Sequence, residues 1–179
     1  LGPLNHFAKD LGIPLDIDAA VSTVLAGRVR RVDTGEVNGQ IFLNNSSVGL
    51  WPKILRLRAE HPARGAAKWP VAAAATVKAL VRHRIYTVRL LIDGEPLVRR
   101  TPLVFVGNNA YHMTGLDPGS RDTLTGGTLG LYVVNEIGGA ALCRLIWRVI
   151  IGRAVASGAL DVMLATEATI TIGHRSVHV

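Results

Sequence analysis

Two uninterrupted apolar runs stand out along the chain, Leu103-Val104-Phe105-Val106 and Leu129-Gly130-Leu131-Tyr132-Val133-Val134. Their length and their β-branched and aromatic content predict buried strands lying side by side at the centre of a sheet. Between them lies a polar stretch that opens with Gly107-Asn108-Asn109 and later carries Asp122, Gly126 and Gly127. Glycine permits positive φ and close backbone approach, and the polar side chains sit at a sheet edge, so chemistry is expected there. An ordinary surface connection is built from the same residue types, and composition alone does not separate the two.

The rest of the pattern alternates between helical and strand periods. Leu4, Phe7, Ala8 and Leu11 share one helical face, and Gly12-Ile13-Pro14 ends that helix. Asp18 is placed to cap a second helix over Ala19–Leu25, which Gly27 closes. From Arg28 the period becomes two, and Glu36-Val37 meets Gln40–Leu43 across Asn38-Gly39, a strong hairpin signal. Asn44–Gly49 reads as a polar break, and helices are expected over 53–60 and 70–81. Tyr86–Ile92 alternates cleanly, turns at Asp93-Gly94 and returns through Leu97–Thr101. Ala140–Gly152 forms a basic apolar helix, with Cys143 expected in its core. Strands follow at Asp161–Ala165 and Thr169–Gly173, and His174–Val179 begins another. Strand-rich hairpins with a few helices indicate a mainly β, α+β fold: a β-sandwich with several decorating helices rather than alternating β/α units.

Composition narrows the partners. At 179 residues and 49% hydrophobic, the chain suits one core. Its 20 Lys and Arg against 13 Asp and Glu leave a net charge of +7, which favours anionic partners. Nucleic acid is not favoured, because aromatic residues are only 5% and the cations are scattered. A single cysteine excludes an internal disulfide and fits a reducing compartment. Mean hydropathy is +0.30, yet the most apolar stretch, Ile137–Val155, is broken by Arg144, Arg148 and Arg153. No secretory pattern opens the chain, so the expected location is cytoplasmic, with contact at the inner face of the membrane left open. A start without Met suggests a fragment.

Asn5-His6-Phe7-Ala8-Lys9-Asp10-Leu11-Gly12-Ile13-Pro14 resembles the junction segment of diacylglycerol kinase-like and sphingosine kinase-like lipid kinases. That family usually reads Gly-Thr-x-Asn-Asp-Phe-Ala-Arg, then Leu-Gly-Ile-Pro. Three further blocks agree in order: Val32–Gly39, Phe42–Gly49, and Val106–Asn109 followed by Gly127-Thr128-Leu129. The resemblance covers only the C-terminal lobe of the NAD kinase/diacylglycerol kinase-like fold. It implies a junction segment over 1–15 and a lipid-side β-sandwich over 16–179, incomplete at both ends.

The resemblance further implies an ATP-dependent enzyme that transfers the γ-phosphate to a diacylglycerol- or sphingoid-like hydroxyl, using ATP and Mg2+. The chain shows neither the Gly-Gly-Asp-Gly-Thr of the nucleotide lobe nor the late Asp-Gly-Glu that carries the general base. It is therefore expected to be inactive alone, to hold no cofactor tightly, to partner a missing N-terminal nucleotide-binding lobe and a lipid substrate, and to leave a homodimer open. Asp93-Gly94-Glu95 has the late motif's letters but follows an alternating strand, which makes it a turn.

By the same resemblance, Asn5 and Lys9 lie toward the nucleotide, while Asn44, Ser46, Gly49 and Asn108 line the substrate side. Backbone carbonyls of Thr123 and Thr128 correspond to the family's magnesium loop, but Gly126 stands where the family has Asp, leaving Asp122 as the nearest substitute. No catalytic residue is assigned. His6 replaces an Asp of the family, and Tyr111-His112-Met113-Thr114-Gly115 replaces a glycine run. The alternatives are a non-catalytic lipid- or membrane-binding module, suggested by Arg144 and Arg148 beside Trp147, and an NAD kinase-like lobe.

Overall fold

The computed structural model describes residues 5–50, 52–53, 56, 83–112, 120–135, 138–150, 158–173 and 175–179. Helix α1 (His6–Asp10) and helix α2 (Ile17–Leu25) precede a small hairpin, β1 (Gly35–Val37) and β2 (Gln40–Phe42). Then come β3 (Asn45–Gly49), β4 (Tyr86–Ile92), β5 (Glu95–Thr101), β6 (Leu103–Asn108) and β7 (Leu129–Val134). Helix α3 (Gly139–Ile150) leads into β8 (Leu160–Ala165), β9 (Ala168–Ile172) and β10 (Arg175–His178).

The eight strands outside the small hairpin form two antiparallel sheets of four, ordered β10-β9-β4-β5 and β3-β6-β7-β8. Strand periodicity explains how they pack. On β4 only Val88 and Leu90 are buried among alternating exposed neighbours, and they meet Ile170 of β9 and Val104, Val106, Leu131 and Val133 of the other sheet. The opposite face of β7 is buried as well, with Tyr132 and Val134 packing against Leu142 and Leu145 of α3. A strand covered on both sides has no polar face, which is why β7 reads as an unbroken apolar run and all its residues are buried. The molecule is therefore a β-sandwich with a helix on the outside of one sheet.

Both predicted hairpins form as expected. Asn38 and Gly39 have φ of 47° and 81°, and Asp93 and Gly94 have 47° and 88°. Positive φ at both central residues is the two-residue turn that matches strand twist. Asp93 also clamps the β8–β9 crossover between the sheets. Its Oδ1 accepts bonds from the backbone N of Thr166 (2.9 Å), the Thr166 hydroxyl (2.8 Å) and the backbone N of Glu167 (3.0 Å).

Four local expectations are corrected. The cap of α2 is Asp16, whose Oδ1 accepts from Ala19 N at 3.0 Å, so the helix begins earlier than Asp18 implied. Residues 28–34 alternate without joining a ladder: Val29 is exposed, and Asp33 is drawn instead toward the β6–β7 connection. The supposed polar break contains β3, an edge strand whose Ser46 and Ser47 pair with Val106 and Phe105. Cys143 is exposed, because α3 turns Leu142 and Leu145 inward instead. Of the helices expected over 53–60 and 70–81, only Lys53 and Arg56 are described, both helical; the rest lies outside the described residues.

Candidate functional site

The C-terminal end of β6 and the start of β7 open onto a polar cradle. Asn108 ends β6, and its Nδ2 donates to the carbonyls of Asp33 (2.7 Å) and Leu43 (3.1 Å). Asn109 follows with φ of 65°, a conformation that asparagine tolerates better than most residues. Its Nδ2 donates to Asp33 Oδ2 at 3.1 Å, its Oδ1 accepts from Gly126 N at 2.9 Å, and its own N–H donates to the Thr128 carbonyl at 2.8 Å. Two adjacent asparagines thus tie three separate stretches of chain to one strand end.

Arg121 joins the cradle to the N-terminal segment. It bridges to Tyr111 across the neck of the connection, and its side chain lies between the rings of Phe7 and Tyr111, 5.8 and 5.2 Å from their centroids. Its Nε and Nη2 donate to Asp10 Oδ2 at 2.9 and 2.7 Å. Nη1 donates to the carbonyls of Leu43 and Asn108, both at 3.0 Å, and Nη2 reaches Asn44 Oδ1 at 3.2 Å. The pair is buried, at 0% side-chain exposure for Arg121 and 5% for Asp10. Below it, Tyr132 Oη accepts from Tyr111 N (2.6 Å) and donates to Tyr111 O (3.1 Å). Burial pushes the phenols of Tyr111 and Tyr132 above their ordinary pKa.

Of the residues picked from sequence, Asn44 and Asn108 lie in this cradle, and Lys9 is exposed on α1 directly beside the anchored Asp10. Asn5 begins α1 in a left-handed conformation and caps nothing with its side chain; its carbonyl accepts from Lys9 N at 3.1 Å. Ser46 lies further along β3, half-buried. Gly49 is at the far end of that strand, roughly 16 Å from Asn44 at strand rise. There a Cβ would sit 2.2 Å from the Pro102 carbonyl, so Gly49 answers a backbone approach outside the cradle. Arg121 and Asp33 were assigned no role from sequence. Asp33 lies inside one of the recognised blocks, whereas Arg121 sits in an irregular loop with no periodic signal.

At the loop expected to carry magnesium, the carboxylate that arrives is that of Asp33, whose Oδ2 accepts from Gly127 N at 2.7 Å, and not one from position 126. A divalent ion of this kind is held through at least one carboxylate, and Gly126 supplies none. A Cβ at Gly126 would lie 2.6 Å from Asn109 Oδ1, so the position of a longer side chain is already taken. The Thr128 carbonyl accepts the Asn109 amide N–H, while at Thr123 it is the hydroxyl, not the expected carbonyl, that accepts from Thr125 N at 3.0 Å. Asp122, 83% exposed, turns its carboxylate to His112 Nε2 at 2.6 Å. Among the described residues no three His, Cys, Asp or Glu groups converge.

A family profile, the YegS C-terminal NAD kinase beta sandwich-like domain, matches residues 55–179, well over half the chain. The chain belongs to this family. Within the curated relatives it is similar to the probable lipid kinase YegS-like protein of Pseudomonas aeruginosa, 44% identical over 54 residues, covering 30% of this chain and 18% of that protein. It is also similar to a diacylglycerol kinase of Bacillus subtilis, 48% identical over 50 residues, 27% of this chain and 16% of the relative. A solved structure of a candidate diacylglycerol kinase from Bacillus anthracis superposes with a TM-score of 0.69 at 25% identity, over 98% of this chain and 58% of that one. The chain thus spans about three fifths of the length of that neighbour, and its matches cover less than a fifth of these curated relatives. As in the family name, the architecture is a β-sandwich of the NAD kinase type.

Proposed function

We propose that this YegS-type sandwich is the lipid-side lobe of an ATP-dependent kinase that phosphorylates the hydroxyl of a diacylglycerol- or sphingoid-like lipid. The observation that carries the reading is the buried Asp10–Arg121 pair, which fixes the junction helix α1 to the cradle so that Lys9 is presented beside it. Phosphoryl transfer depends on positioning and charge neutralisation more than on covalent chemistry. A lysine on a helix held in place supplies a point charge for nucleotide phosphates, and Asn5 opens the same helix. Asn108 Nδ2 is committed to two carbonyls and Asn44 Oδ1 to Arg121, so in this reading both shape the substrate side of the cradle. Nucleotide, its Mg2+ and the general base belong to a partner lobe in this reading, and the chain alone turns over nothing.

The test is an assay of diacylglycerol phosphorylation in mixed micelles with ATP. The uninterrupted reading frame that contains this chain should be active, and Lys9→Ala within it should lower kcat/KM at least about tenfold, the scale of one charge-assisted phosphate contact. The 179-residue chain by itself should show no turnover. Submillimolar ATP binding with turnover by the purified chain would contradict the proposal.

A second reading, a lipid-surface module, is favoured by the outward display on α3. Arg144 is exposed and Trp147 is 63% exposed while Leu142 and Leu145 are buried. An amphipathic aromatic beside a cation suits the interface of an anionic bilayer. Co-sedimentation with phosphatidylglycerol vesicles, weakened by salt and by Arg144→Glu with Trp147→Ala, supports it; indifference to vesicles removes it. No helix among the described residues is long and apolar enough to cross a membrane.

A further inference from the structure

We infer that the loop over residues 124–128 is held in place by Asp33 and Asn109, and that no divalent ion takes part in ordering it. The geometry is closed. Asp33 Oδ2 accepts from Gly127 N at 2.7 Å and from Asn109 Nδ2 at 3.1 Å, while Asp33 N donates to the Leu124 carbonyl at 2.7 Å. Asn109 returns to the loop twice, through Oδ1 to Gly126 N and through its own N–H to the Thr128 carbonyl. Four points of the loop, at positions 124, 126, 127 and 128, are therefore bonded to two residues from elsewhere in the chain.

An ion at this place would have to draw on the same groups. Asp33 is the carboxylate bonded to this loop; its Oδ2 is already shared by two N–H donors, which leaves only Oδ1 to an ion, and Gly126 brings no oxygen beyond its backbone. On the side of Gly126 where a side chain would point, the Oδ1 of the buried Asn109 already fills the space. Asn109 cannot swing away without giving up both bonds. The inference concerns the fold of this loop alone, so it stands or falls separately from any kinase activity.

Thermal melting of the whole chain tests it. Between 10 mM MgCl2 and EDTA the Tm should move by less than about 1 °C, whereas a resident ion at a hundredfold its Kd would raise Tm by roughly 5–10 °C. Asn109→Gly keeps the positive φ and removes the side-chain bonds, and Asp33→Ala removes the shared acceptor. Each should lower Tm by about 5 °C or more, unrestored by Mg2+. A rise of more than about 3 °C on adding Mg2+ to the unsubstituted chain, or melting of both variants at the original Tm, would overturn it. The metal arm requires no variant to fold.

Discussion

Arg121 carries five N–H donors, and each meets an oxygen: two go to Asp10, two to backbone carbonyls and one to Asn44. A buried guanidinium is tolerated only when so satisfied, and removing one member of such a pair strands the other's charge away from water. Arg121→Leu should therefore cost about 3–5 kcal/mol in urea unfolding. Asp10→Asn, which keeps an acceptor for Nη2, should cost less. Asp93 makes the opposite case, a carboxylate held by solvent-exposed bonds. Its pKa lies below the ordinary 3.8, first through the Glu167 N–H, then the Thr166 hydroxyl, then the Thr166 N–H. Lowered in the folded state, it adds stability above its unfolded pKa, and that contribution is lost as pH falls through the folded value. Asp93→Asn should thus melt lower than the parent at pH 7, with the gap closing below about pH 4; a gap constant from pH 3 to pH 7 would rule the clamp out.

Elements were legible in proportion to how regularly they bury side chains. β6 and β7 announced themselves as apolar runs, and β4 as an alternation, because each packs a repeating face into the sandwich. The two hairpins were visible through Asn38-Gly39 and Asp93-Gly94, where the turn chemistry is local. β3 was hidden, since an edge strand pairs on one side only and its half-buried serines leave it without an apolar alternation. Residues 28–34 misled for the converse reason: their alternation has no sheet to face. Gly49 separates an element's needs from those of a cleft. With φ of 103° and a Cβ that would press on the Pro102 carbonyl, Gly49→Ala should destabilise the chain by at least the roughly 1–3 kcal/mol of backbone strain. Ser46→Ala on the same strand should melt within about 2 °C of the parent. Equal melting of the two variants would return Gly49 to the substrate side.

Across the whole molecule, the cradle was only half legible, because its assembly joins residues that lie about 75 to 110 positions apart. Asn44 and Asn108 could be picked from recognised blocks, yet their partners Asp33 and Arg121 meet them through contacts of sequence separation 75 and 77. No periodicity encodes such contacts. The same long-range wiring predicts how stability is distributed. β7 is hydrogen-bonded on both edges, to β6 and β8, and buried on both faces. Its amides should exchange with solvent only through global unfolding. α2 is the other extreme, with no buried residue and with Ile17, Val21, Val24 and Leu25 all exposed. Its amides should exchange orders of magnitude faster despite a well-formed Asp16 cap, since a nine-residue helix without packing is marginal in water. α1 is shorter still, but the Asp10–Arg121 pair ties it to the sandwich. Hydrogen exchange followed by mass spectrometry should therefore place α1 between the two, and Arg121→Leu should raise the exchange of α1 to the rate of α2 while β7 stays slow. Protection of α1 that survives that substitution would mean the junction is held by something other than the buried ion pair.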